Sequence, residues 1–120
     1  MSAVGLSFPR TRRLTRRTEF EQVKKNGRTQ RGSLLNLTAL RVAKVAGFRA
    51  GFVTSRRVGS AVVRNRVRRR LREIARKHQK EIIGGVWIVT VARPGSATAT
   101  YRQMEDEWLR LATRASILAP

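Results

Sequence analysis

The chain has no cysteine, one histidine and only seven acidic residues against 27 lysines and arginines. Without cysteine there is no disulfide, no thiolate nucleophile and no cysteine-based zinc site. The single histidine, His78, leaves serine–histidine–acid chemistry without a well-placed base. The acids are scattered or confined to the C-terminal region, so they offer no carboxylate cluster for a two-metal site. We therefore assign no catalytic residue and no protein metal site. No apolar run approaches the roughly 18–20 residues that span a bilayer. The N-terminal MSAVGLSFPRTRR lacks the apolar core, about 7–15 residues, of a secretory signal. A cytoplasmic protein without membrane association is expected.

What is present is positive charge. A formal net charge of +20 on 120 residues calls for an anionic partner, and the length suits a single domain with one modest core. The densest block, RNRVRRRLR over residues 64–72, carries Arg64, Arg66, Arg68, Arg69, Arg70 and Arg72 with Glu73 as its acidic neighbour. No core can bury so many guanidinium groups, because each would need its own partner to offset desolvation. Helical spacing puts Val63, Val67, Leu71, Ile74 and His78 on one stripe and Asn65, Arg69, Arg72 and Arg76 opposite. Ser60 is the candidate N-cap. Like charges recur at i, i+4, which weakens a free helix. An arrangement that costs stability and lacks compensating acids points to a partner that supplies the negative charge. Nucleic acid fits this better than a merely solvated face does.

Elsewhere the pattern is local. Residues 1–13 read as a flexible basic N-terminus, with Phe8-Pro9 a candidate to pack against the body, and residues 14–118 as the domain. A short helix begins at Leu14-Thr15 with Thr15 as N-cap, places Phe20 and Val23 on its apolar side and ends at Asn26-Gly27. Leu34–Val42 alternates as a strand, with Leu35, Leu37 and Ala39 on one face and Asn36 and Thr38 on the other. A turn over 43–47 joins it to a second hairpin strand over Phe48–Ser55, and Val58–Val62 suggests a short extended piece. After Gly84-Gly85, Val86–Ala92 is apolar on both faces except at Thr90, so a central, covered strand is expected. Thr100 and Gln103 form a possible capping box ahead of a helix with Met104 and Trp108 in the core. The result is an α+β sandwich with one mixed sheet and helices mainly on one face.

Residues 49–72, RAGFVTSRRVGSAVVRNRVRRRLR, resemble the signature of the bacterial ribonuclease P protein subunit. That signature reads R-x-G, then S-K/R-K/R-x-G-x-A-V, then R-N-R-I/V-K/R-R. The likeness extends to L-T-x-x-x-x-F (Leu14 to Phe20) before an N-G turn and to the apolar strand ending A-R-P (Ala92 to Pro94). It implies a small single domain of order αβββαβα, with a four-stranded mixed sheet and the arginine-rich helix in a left-handed crossover. It also implies an endoribonuclease holoenzyme in which the RNA subunit, with Mg2+ bound by RNA and substrate, removes the 5′ leader from precursor tRNA. The expected partners are that catalytic RNA and precursor tRNA, with no obligate protein partner.

By match to the motif, Arg64, Asn65, Arg66, Arg68, Arg69 and Arg72 would contact RNA. Arg56 and Arg57 match a basic pair at the strand end, and Arg76 continues the charged face. Phe20, Lys24, Asn36 and Thr38 would line the leader cleft, where aromatic faces stack on unpaired bases. Lys24 stands where the family often has a second aromatic, and Leu35 and Thr38 stand where aromatics are common. Leader binding should accordingly be more electrostatic here. A ribosomal-type or nucleoid-type basic protein would explain the charge but not the signature. A cationic membrane binder would want Trp, Phe or Leu on the apolar helix face.

Overall fold

A computed structural model describes residues 10–42 and 46–120; Phe8-Pro9 lies outside the described residues. Four strands, β1 (Arg28–Arg31), β2 (Leu35–Arg41), β3 (Phe48–Thr54) and β4 (Val86–Ala92), form one mixed sheet in the order β1-β2-β4-β3. The helices are α1 (Arg17–Asn26), α2 (Ala61–Lys77) and α3 (Tyr101–Arg114). This is the αβββαβα order that the resemblance implies.

The hairpin expected from Leu34–Val42 and Phe48–Ser55 does not form. Strand β4 lies between them, antiparallel to β2 and parallel to β3. Alternation marks a strand but not its partner, and β4 takes the centre because it is apolar on both faces. Its Val86, Ile88 and Ala92 join Leu35, Leu37, Phe48 and Ala50 in the main core beneath α2 and α3. Its Val89, with Val91 and Trp87, packs against Leu14, Phe20 and Val23 on the α1 side. Thr90, the polar residue of β4, is buried and accepts a hydrogen bond from Trp108 Nε1 at 3.1 Å. Strand β1 has no apolar alternation because it is a mostly exposed edge strand, and charged side chains suit such an edge.

Two local readings of the sequence differ from the structure. Helix α1 is N-capped at Arg16, not Thr15. The Glu19 carboxylate accepts from both Thr15 N and Arg16 N, at 3.0 and 2.9 Å, reaching back from the N3 position to the cap backbone as the acid of a capping box does. Val58–Val62 is not extended: Arg56–Val58 is a 3-10 turn, and Ser60 caps α2 by accepting from Val63 N. Helix α2 ends at Lys77 with His78 as C-cap. At its foot both His78 ring nitrogens face carboxylates, those of Glu81 and Glu105. The capping box of α3, Thr100 with Gln103, forms as read. No helix among the described residues is long and apolar enough to cross a membrane.

Glu107 ties α3 to the sheet. Only 3% exposed, it accepts from Leu34 N and Leu35 N, each at 2.7 Å, and from the Ser33 hydroxyl at 3.0 Å. Gly32 makes room for it: a Cβ there would lie 2.5 Å from the carboxylate. Glu107→Ala orphans two backbone donors, at about 1–3 kcal/mol each. A loss of roughly 2–5 kcal/mol in urea unfolding is expected, with Glu107→Gln closer to wild type because it keeps an acceptor oxygen.

Glu19 and Glu105 give a second expectation. Burial alone would raise the Glu19 pKa, but hydrogen bonds from Arg16 and Thr15 and the Arg49 charge hold it below the ordinary value. Burial acts on Glu105 in the same sense and is overcome by His78 and Lys77. A carboxylate depressed in the folded state stabilises above its unfolded pKa, near 4.3 for glutamate, and that contribution is lost as pH falls through the folded value. Unfolding free energy should therefore drop below about pH 5, and the Glu19→Gln/Glu105→Gln variant should flatten that drop in acid titration.

Candidate nucleic-acid interface

Helix α2 presents its arginines because its other side is spoken for. Val67, Leu71, Ile74 and Ala75 are fully buried, while Val63 is only half-buried at the rim. Seventeen residues span about 25 Å. Arg56, Arg57, Asn65 and Arg69 are exposed; Arg64, Arg66, Arg68, Arg72 and Arg76 are half-buried.

These side chains do not share one environment. Arg66 donates to Ala97 O at 2.9 Å and Arg70 to Ala99 O at 3.2 Å, fastening α2 to the β4–α3 connection. Arg76 pairs with Glu73 at 2.6 Å. Arg68 reaches Thr54 Oγ1 at 2.8 Å and Asn65 Oδ1 at 3.1 Å, which places it where α2 meets the end of β3. Arg72 has its pKa lowered by burial first, then by the neighbouring charges of Arg13 and Arg68. The Nε atoms of Arg64, Arg66 and Arg72 are shielded with no hydrogen-bond partner. A bound anion would relieve the crowding of charge.

A cleft of about 390 Å3 opens between α1 and the other face of the sheet. It gathers Phe20, Lys24, Asn36 and Thr38, the four residues that the sequence reading put together. Glu21, Thr29, Val53, Val89 and Val91 complete its walls. Phe20 is half-buried, its ring laid over Gly51 so closely that a Cβ there would come within 2.4 Å. Thr29 and Thr38 hydroxyls bond across the β1–β2 rung at 2.8 Å, and Asn36 Oδ1 is shielded with no hydrogen-bond partner. The cleft thus offers an aromatic face, an apolar floor and an unused acceptor.

Phe20 and Val53 also line a shallower hollow of about 350 Å3, shared with Arg17, Phe52, Thr54 and Arg68. The arginine face and the cleft are therefore joined through Arg68. Arg49 steadies this corner: it pairs with Glu19 at 2.7 Å, donates to Arg13 O at 2.9 Å and covers the Trp87 ring. The sequence reading missed Arg13 beside Arg72. It also left out the valine floor, because alternation shows which residues share a strand face and not which face α1 covers. Among the described residues, no three His, Cys, Asp or Glu side chains gather as a metal site would require.

A family model for ribonuclease P matches residues 8–116. The ribonuclease P protein component of Brevibacillus brevis is 33% identical over 109 residues, covering 91% of this chain and 86% of that protein. The same component from Chloroflexus aurantiacus is 39% identical over 110 residues, covering 91% and 81%. In fold, the Staphylococcus aureus RNase P protein matches with a TM-score of 0.83 at 22% identity over 89% of this chain and 97% of that one. The Thermotoga maritima RNase P protein matches with a TM-score of 0.77 at 25% identity, over 85% and 96%. The agreement runs through the arginine helix, the cleft and nearly the whole chain, and the chain belongs to the ribonuclease P protein family.

Proposed function

We propose that the protein binds the catalytic RNA through the arginine face of α2 and holds the single-stranded 5′ leader of precursor tRNA in the cleft between α1 and the sheet. In this way it assists endonucleolytic removal of the leader. The observation that carries the reading is the continuity of the two surfaces at Arg68, which lines one hollow with Phe20 and bonds to the end of β3. An RNA held against α2 would there meet a substrate strand lying on Phe20. Arg56, Arg57 and Arg69 are exposed for phosphate oxygens, and guanidinium forks suit them. The half-buried Phe20 ring can stack on an unpaired base. Magnesium held by the RNA and substrate supplies the hydrolytic chemistry; the protein's part is to bind and position.

Reconstitution with the RNA subunit, assayed for precursor cleavage at low magnesium, tests the reading directly. RNA-free protein should leave precursor tRNA intact with magnesium present. Cleavage that co-elutes with the protein and survives RNase pretreatment would count against it. If about six arginines neutralise phosphates, log K should fall against log salt with a slope of roughly −4 to −5; a slope near −1 would mean a mostly solvated face.

Two variants separate the surfaces. Arg69→Ala should weaken assembly or cleavage by about 1–3 kcal/mol and leave melting almost unchanged, since Arg69 is exposed and has no core contact. Phe20→Ala should reduce the preference for precursor over mature tRNA by about 1–3 kcal/mol. Its stability loss should stay below the roughly 3–5 kcal/mol of a fully buried phenylalanine. An unchanged precursor preference with a full core-sized melting loss would make Phe20 a packing residue only.

A further inference from the structure

A second basic cavity, of about 570 Å3, lies at the far corner of the sheet from α2. Asn26 and Gly27 at the end of α1, Arg28 of β1, Arg41 at the end of β2, and Arg114 and Ser116 at the end of α3 form its walls. We propose that this cavity is a phosphate site that takes the backbone of the leader after it leaves the cleft over the β1 edge. The inference rests on the leader reading of the cleft.

Three arginines and no acidic residue line the cavity. The competing explanation is that they only neutralise two helix C-termini, each equivalent to about half a negative charge. Arg41 does serve that purpose, donating to Ser116 O at 2.9 Å beside the positive φ of 58° that closes α3. Two half charges against three guanidinium groups still leave the cavity clearly positive. Arg28 and Arg114 are exposed and are the groups left to meet an anion.

Placement supplies the route. Thr29↔Thr38 lines the cleft, and the adjoining rung Arg28↔Ala39 lines the cavity. Successive residues of a strand point to opposite faces, so Arg28 points away from the cleft one rung from Thr29, while Asn26, Gly27 and Leu40 of the cavity wall belong to the α1 side. Strand β1 pairs only with β2, so its outer edge is open for a strand to cross. A chain on Phe20 that runs past Lys24 and over this edge arrives between Arg28 and Arg114. Phosphate in the cavity would prolong the cleft electrostatically, in keeping with the lysine that stands in it at position 24.

The test uses reconstituted holoenzyme and precursor tRNAs whose leaders are graded in length from a few nucleotides upward. Arg28→Ala/Arg114→Ala should weaken binding of long-leader precursors roughly tenfold and lower their salt slope by about 1.4, two single-strand contacts at about 0.7 each. Short-leader precursor and mature tRNA should bind as before, and Arg28→Lys/Arg114→Lys should retain most of the long-leader affinity. Weaker binding of the RNA subunit with leader dependence intact would assign the cavity to that RNA and overturn the proposal. Unchanged binding throughout would mean that the arginines only neutralise helix ends, and would equally overturn it. Phe20→Ala measured on the same leaders judges the cleft separately: a precursor preference that survives it sinks the cleft reading whatever the arginine variants do.

Discussion

Everything in this structure depends on burial of one narrow seam along α2. Val67, Leu71 and Ile74 are each fully buried, a gain of about 1.5–3 kcal/mol apiece. The like-charge pairs Arg64/Arg68, Arg66/Arg70 and Arg68/Arg72 oppose the helix by only about 0.2–0.5 kcal/mol each. Burial wins by a wide margin, so the helix persists with most of its charges uncompensated. The surplus positive potential is the consequence, and it is what a polyanion would meet.

The signature residues divide between holding the fold and facing outward. Arg49 binds Glu19 and the Arg13 carbonyl, and Gly51 admits the Phe20 ring. Val58 is buried. Gly59 takes a positive φ of 147° that a side chain would strain, and Ser60 caps the helix. Within α2, Arg66 and Arg70 grip backbone carbonyls of the β4–α3 connection, whereas Arg69 and Asn65 remain outside. The motif aims the exposed arginines as much as it supplies them.

The same economy shapes the cleft. Glu19 caps α1 and anchors Arg49 at once, so the start of α1 is held against β3 at the point where Phe20 crosses Gly51. One carboxylate thereby positions an aromatic ring that is neither fully buried nor free. On the opposite face Glu107 plays the corresponding part, gripping the start of β2 from α3. With so few acids in the chain, these two stabilise junctions between elements that apolar packing alone would leave loosely aligned.

The amino-acid sequence by itself determined the elements whose signals are local. The buried stripe and capping serine of α2, the two-sided apolarity of β4 and the capping box of α3 need only neighbouring residues to be recognised. The grouping of Phe20, Lys24, Asn36 and Thr38 was also legible, through the resemblance of the first helix and the polar face of the Leu34–Val42 strand. Tertiary structure alone decided that β4 separates β2 from β3, that the polar Arg28–Arg31 is a strand, and that Glu107 serves the backbone of Leu34 and Leu35. It alone brought Arg13 to Arg72, and gathered Arg28, Arg41 and Arg114 from three elements around one cavity. The physical reason is range: periodicity reports which way a side chain points along its own element. Strand partners and the convergence of charges depend on contacts between residues far apart in sequence, which the competition to bury apolar faces settles only when the whole chain packs.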